Sequence, residues 1–383
     1  MFQIPTVFIL GAGASWHYGY PTGDDLIKAI REEAEGLLSV LDDFYKKVQV
    51  STLEYSEAYC PRYILDKMER QDVQAFKSAI LDTKNECKNL IDRVDIVDPL
   101  VIDHFLNYNS DLQSITKLFI SRVILKCQAD NVTQKMQRDR GNWCRFILHH
   151  LMIGCESPHE FISGNDVAFV TFNYDISLEE NLLQGLKKNH FFSDTDVVEE
   201  FLSSQRVIHV YGKVGKSLIS NRSDISISNP IVYRLFSLKP ELDAAYDSSK
   251  ELLTIAPNDK LENKVSLEAA KKAIERAERV YILGYGFDKM NNENIGLDKL
   301  LYRKEIRGRP EVYRTGPKKP IYFTNYKSKN LVSKSASQLF YRTPDRFLPP
   351  NTFISSDISD GTYYEMSIKD VYEALSDDFE FVG

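Results

Sequence analysis

Val7-Phe8-Ile9-Leu10-Gly11-Ala12-Gly13-Ala14-Ser15 decides the fold. An apolar run of the kind found in strands covered on both faces stops at two closely spaced glycines. Small residues follow, and Pro21-Thr22-Gly23-Asp24-Asp25 then has the composition of a helix start. Strand, tight turn and helix in that order form the arrangement that holds a pyrophosphate. Gly11 suits the turn, and Gly13 lets a phosphate approach the backbone. The amides of Gly13, Ala14 and Ser15 are expected to point at that phosphate, with Ala12 completing the loop. Trp16 stands where the third glycine of a dinucleotide fingerprint would fall.

Further apolar runs extend the pattern. Val167–Thr171, Val207–Tyr211, Leu252–Ala256, Val280–Leu283 and Ile321–Thr324 read as strands. Helical segments lie between some of them. The clearest is Ser266–Ala277, with Ser266 as the expected N-cap. The alternation predicts an α/β, Rossmann-like, doubly wound and mostly parallel sheet. Residues 25–160 depart from it, because helical patterns there follow one another, as in Leu37–Val48, Val73–Arg93 and Trp143–Ile153. We expect a helical insertion over residues 31–162, with residues 1–30 and 163–383 forming the sheet domain. Tyr55, Tyr59 and Tyr63, spaced by four, suggest a packing seam.

Composition bounds the function. The chain has 383 residues, 43% hydrophobic and 27% charged, and a formal net charge of −7. That balance argues against direct nucleic-acid binding, which needs a basic face. No signal peptide or bilayer-length apolar run is visible, so no membrane association and a cytoplasmic location are expected. Cys60, Cys87, Cys127, Cys144 and Cys155 are scattered and form no Cys-x-x-Cys pair. They read as reduced thiols, with no zinc or other metal site expected. His149 and His150 are expected on a helix, one outward and one inward. The basic stretch 303–319 reads as a solvated loop or a docking surface, and the acidic end Asp377–Phe381 as a frayed or docking tail.

Three later segments sharpen the first. Thr171-Phe172-Asn173-Tyr174-Asp175 places Asn173 and Asp175 at the carboxyl end of a strand. Ile208-His209-Val210-Tyr211-Gly212 places His209 in another. Leu283-Gly284-Tyr285-Gly286 closes a third with two glycines. Ligands of open α/β sheets bind at these ends. Asn173-Tyr174-Asp175 also fits a strand-to-helix cap, and Asn325 fits a turn as well as a ligand contact.

In that order the motifs resemble the sirtuin family. Gly11–Ser15 looks like its first glycine turn, Asn173 and Asp175 like its Asn-x-Asp pair, and His209 ahead of Gly212 like its catalytic histidine. Gly284-Tyr285-Gly286 is similar to its Gly-x-Ser turn, and Ile321–Asn325 to a strand ending in asparagine. Two features of the family are missing: the Pro-Asp-Phe-Arg segment and the four-cysteine zinc ribbon, for no cysteine follows Cys155. What remains resembles the sirtuin-like NAD-cleaving domains of bacterial antiphage systems, and specifically the stand-alone subunit that works beside a HerA-type hexameric ATPase translocase.

The resemblance implies an NAD glycohydrolase, with NAD as substrate, that depletes NAD in abortive infection. It implies catalysis by Asn173 and His209. It also implies NAD contacts from Gly11, Ala12, Gly13, Ser15, Asp175, Gly284, Gly286 and Asn325. A homo-oligomer and a gating ATPase are the implied partners. The alternatives are an NAD-dependent deacylase or ADP-ribosyltransferase, and a non-catalytic NAD or ADP-ribose sensing scaffold.

Overall fold

The computed structural model describes residues 1–47, 60–129, 142–188, 200–202, 206–215, 230–253, 262–300, 319–326, 330–340, 363–366 and 371–377. Six strands form one sheet: β1 Thr6–Leu10, β2 Val167–Thr171, β3 Val207–His209, β4 Arg279–Leu283, β5 Ile321–Thr324 and β6 Tyr363–Met366. Their spatial order is β3-β2-β1-β4-β5-β6, and every pairing is parallel. That is the order of the doubly wound dinucleotide-binding fold, with the reversal of winding between β1 and β4.

The central strands are mostly apolar because helices cover both sides of a parallel sheet. All five residues of β1 are buried. Down one face runs an aromatic ladder set by the register. Phe8 pairs with Phe169 and Tyr281, and Tyr281 with Tyr322. The rings stack at 5.3, 5.1 and 4.9 Å. The same register aligns the carboxyl ends: Leu10 opposite Thr171 and Leu283, and Thr171 opposite His209. The residues that follow these positions therefore leave the sheet side by side.

Among the described residues, no strand lies between β1 and β2. The chain there forms helices Gly23–Lys47, Val73–Val97, Ile102–Tyr108, Gln113–Ala129, Cys144–Met152 and Pro158–Ser163. Asp72 caps the second of these by accepting from the Ala75 amide at 2.8 Å. Ile30, Ala34, Leu37 and Leu41 form the buried stripe of the first, facing Phe76, Ile80 and Leu90 of the second. Helix Pro230–Ser249, which precedes β4, packs on Gly23–Lys47 and Gln113–Ala129. Arg122, only 4% exposed, ties these three by ion pairs to Glu33 at 2.7 Å and Glu241 at 3.4 Å. The helices and the sheet share one continuous hydrophobic cluster.

Several expectations need correction. Ser266 does not cap its helix, which begins at Glu262 and runs to Arg276. Leu252 and Leu253 are not a strand. They follow helix Pro230–Ser249, and the Leu253 amide donates to the Tyr211 carbonyl at 3.0 Å. Residues 254–256 lie outside the described residues. β3 ends at His209 because Gly212, at φ 75°, turns the chain away. Tyr55 and Tyr59 lie outside the described residues. Tyr63 is buried, meets Tyr246 edge-on at 5.4 Å and donates to Glu86 at 2.9 Å, as a packing seam requires. Most of the basic stretch 303–319 is likewise outside them. Its last member, Lys319, donates to the carbonyls of Ile274 and Glu275 at 2.8 and 3.0 Å, capping the Glu262–Arg276 helix. Of the acidic end only Asp377 is described, as the last residue of helix Val371–Asp377. His149 is exposed, whereas His150 packs against Phe2 at 4.6 Å, and burial pushes its imidazole down to about 4. The five cysteines are free thiols. No helix among the described residues is long and apolar enough to cross a membrane.

Candidate functional site

The site forms where β1, β2 and β3 end. Chain alternation sends successive residues of the β2 exit to opposite sides. Phe172 stacks on Tyr285 at 5.0 Å, and Tyr174 donates to Asp103 at 2.5 Å. Asn173 turns instead toward the β1 exit. Its amide nitrogen donates to the Gly11 carbonyl at 3.0 Å and to Ser15 Oγ at 2.8 Å.

Asn173, Ser15 and Asp175 form one buried chain of polar groups. The Ser15 hydroxyl donates in turn to the Asp175 carboxylate, which also accepts from the Ser177 amide at 3.0 Å. Asp175 thereby braces the first residue of the helix Ser177–Lys187, whose cap position is Ile176. Burial pushes the Asp175 carboxyl up, and the hydrogen bonds from Ser177 and Ser15 only partly oppose this.

His209, at the end of β3, joins the group from the other side. Its Nδ1 lies 3.0 Å from the Asn173 carbonyl, and its Nε2 lies 2.9 Å from Glu179 Oε1. A carbonyl only accepts, so these partners assign a proton to Nδ1. A second proton then occupies the Nε2···Oε1 axis. Glu179 sits in the first turn of the Ser177–Lys187 helix. Burial alone would raise its carboxyl. The hydrogen bond and charge of His209, together with Lys213 Nζ at 3.3 Å, outweigh burial and hold it below its ordinary value.

A narrow cavity opens among these groups. Leu10, Ala14, Trp143 and Leu178 form its apolar walls; Ser15, Asn173, Asp175, Glu179 and His209 bring polar groups to it. Trp143 comes from the helical region between β1 and β2. It is fixed there by its indole N–H, which donates to the Ala14 carbonyl at 2.7 Å.

The glycine turns are arranged differently from the sequence expectation. The Gly13 amide donates to the Gly284 carbonyl at 3.0 Å, and the Ala14 amide to the Gly11 carbonyl at 2.9 Å. Neither points at an open phosphate site. A Cβ on Gly13 would lie 2.9 Å from Gly284 Cα, and one on Gly11 2.6 Å from the Gly284 carbonyl oxygen. The turns after β1 and β4 thus lie backbone against backbone across the switch point. This contact, rather than phosphate approach, is what requires glycine at 11, 13 and 284. Gly284 also needs it for its φ of 60°.

The structure therefore brings together Gly11, Gly13, Ser15, Asn173, Asp175, His209 and Gly284. Ala12 opens the single helical turn Ala12–Ser15 and is half-buried. Gly286 stands apart, with open space where a side chain would be. Asn325, at the β5 exit, is buried, and its amide donates to Ser333 Oγ at 2.8 Å. Sequence reasoning missed Glu179 and Trp143. Glu179 had one usable signal: it falls four residues after Asp175, in the first turn of the helix Ser177–Lys187.

On the far side of the same strand ends lies a second polar cluster. The Tyr285 hydroxyl donates to Asn292 at 3.0 Å, that of Tyr211 donates to Asn291, and His104 lies 3.2 Å from Asp288. Burial pushes the Asp103 carboxyl there up to about 6.

No family model matches this chain, and no curated protein matches it.

Proposed function

We propose that the chain is an NAD glycohydrolase that cleaves NAD to nicotinamide and ADP-ribose. The observation that carries this reading is the meeting of Asn173 and His209 at the ends of adjacent strands, one strand from the switch point of a 3-2-1-4-5-6 sheet. Their sequence positions alone did not require contact.

The reaction breaks the bond between the ribose anomeric carbon and the pyridinium nitrogen. The bonding pair leaves with nicotinamide and neutralises its cation, so the leaving group needs no proton. A water oxygen forms the new bond and releases one proton. The transition state is oxocarbenium-like, so a fixed negative charge nearby stabilises it. The Glu179 carboxylate supplies that charge and a destination for the proton, while His209, whose two nitrogens both donate, holds the carboxylate in place. Asn173 orients the water or a ribose hydroxyl, and Trp143 with Leu178 gives the planar nicotinamide an apolar wall. Asp175, tied to Ser15 and Ser177, fixes the positions of the turns.

We propose further that the activity depletes NAD in defence against phage, and that the protein works as a homo-oligomer gated by a HerA-type ATPase. The narrowness of the cavity supports gating, since NAD enters only if the β1 and β2 turns move apart. Two experiments test this reading. Chromatography of NAD incubations, with and without an acylated peptide, separates a glycohydrolase from a deacylase by its peptide-independent ADP-ribose. Size-exclusion chromatography with light scattering, on the chain alone and mixed with the ATPase, tests the assembly. A strictly monomeric chain with full turnover and no response to the ATPase refutes the gating.

A further inference from the structure

One carboxylate oxygen in the site has no role in the folded chain. Glu179 Oε1 takes the bonds from His209 at 2.9 Å and Lys213 at 3.3 Å. Its other oxygen, Oε2, is buried and has no hydrogen-bond partner among the described residues. An ionised carboxylate deprived of water and donors is costly. This one is also held in its charged form, because His209 and Lys213 keep the carboxyl below its ordinary value. The fold therefore maintains a buried acceptor without its donor. Such groups call for a specific explanation.

Packing does not supply one. A methionine would fill the same space without the cost, and His209 would keep its bond to the Asn173 carbonyl. A salt link to Lys213 does not supply one either, since Lys213 is half exposed and exposed pairs contribute little. Glu179 lines the cavity that also holds Asn173 and His209. Its orphan oxygen is thus an acceptor kept at the wall of the site. The donors around it are already spent on protein partners: the Asn173 amide on Gly11 and Ser15, and the Ser177 amide on Asp175. No donor among the described residues reaches it, and a ligand in the cavity would supply one.

We infer that Glu179 is a ligand-binding residue whose free carboxylate oxygen accepts a hydrogen bond from a hydroxyl of the terminal ribose of a bound dinucleotide or of ADP-ribose. The inference rests on the NAD reading and deepens it, by naming the sugar hydroxyls as the group recognised. A carboxylate accepts from a sugar hydroxyl through a charge-assisted bond, which is stronger than a neutral one. The same oxygen cannot accept from a pyrophosphate, which carries no donor. It therefore distinguishes the ribose end of the ligand from the phosphate end. His209 acts on the other oxygen of the carboxylate and sets its orientation.

The test compares ADP-ribose with ADP, which lacks the terminal ribose, by calorimetric titration of the full chain. Wild type is expected to prefer ADP-ribose. Glu179→Gln keeps the size of the side chain and an acceptor for His209, but it turns the orphan oxygen into an amide or removes its charge. It is expected to weaken ADP-ribose binding by roughly ten- to a hundredfold while leaving ADP binding unchanged. Glu179→Asp, which withdraws the carboxylate by one methylene, is a second variant and is expected to lose the same preference. Equal preference for ADP-ribose in wild type and both variants overturns this inference and leaves the NAD reading standing. Failure of wild type to bind either nucleotide overturns both.

Discussion

Replacing Gly284 by alanine tests the packing of the two glycine turns. At φ 60° an alanine adopts a left-handed conformation, which costs about 1–2 kcal/mol. Its Cβ would also stand 2.2 Å from the Ala14 amide nitrogen and 2.4 Å from the Gly13 carbonyl carbon. Both are backbone atoms at the exit of the central strand, so neither moves as a flexible side chain does. Overpacking of this kind adds about 1–3 kcal/mol, for a total of roughly 2–5 kcal/mol. A chain of 383 residues that unfolds as one unit gains about 0.8 kcal/mol per kelvin of unfolding entropy. The melting temperature is therefore expected to fall by about 3–6 °C in differential scanning calorimetry. Gly286→Ala is the control. Nothing lies within 4 Å of its added methyl, so it should be neutral or slightly stabilising. The reasoning is refuted if Gly284→Ala melts within a degree of wild type, or if Gly286→Ala is as damaging.

Other consequences can be measured directly. Burial lowers the His150 imidazole to about 4 from an ordinary 6.5, helped by the positive N-terminus, His149 and Arg279. The unfolded chain then binds the extra proton between these values, so stability falls as pH drops from about 6.5 to about 4. Urea titrations across that window should show a smaller loss in His150→Asn, and an unchanged slope in the variant would discard the assignment. Trp143→Phe removes the donor from the buried Ala14 carbonyl and should cost about 1–3 kcal/mol in urea unfolding; a loss within error of zero would show that the indole does not brace the β1 turn.

Most of the sheet was legible because its strands are buried on both sides. Val7–Leu10, Val167–Thr171, Val280–Leu283 and Ile321–Thr324 each match an observed strand to within a residue. Burial on two faces leaves nothing but apolar residues, and that signal survives without any partner being known. β6 escaped notice because Tyr363-Tyr364-Glu365-Met366 is an edge strand with a charge in it, and follows a segment rich in Ser and Asp. Leu252–Ala256 misled for the converse reason, since Leu252 is buried and Leu253 half-buried just after a helix rather than in a strand. The exits of β1, β2 and β3 were legible as a site through Asn173 and His209. Their actual bonding was not. An Asp or Glu in the first turn of a helix is favoured by the helix dipole alone, so Glu179 carried no mark of its bond to His209. Glycine in a tight turn likewise does not reveal what stands against it. Gly13 reads as a phosphate approach until Gly284, far along the chain, is seen to fill the space.

The central claim is tested most directly by incubating the purified chain with NAD, alone and with a HerA-type ATPase, and measuring nicotinamide and ADP-ribose by chromatography. Wild type is expected to yield the two products in equal amounts without any acylated peptide. His209→Ala and Asn173→Ala are expected to lower the rate by about 10²–10⁴-fold. Undiminished turnover in His209→Ala, or intact NAD with wild type under both conditions, would contradict the account.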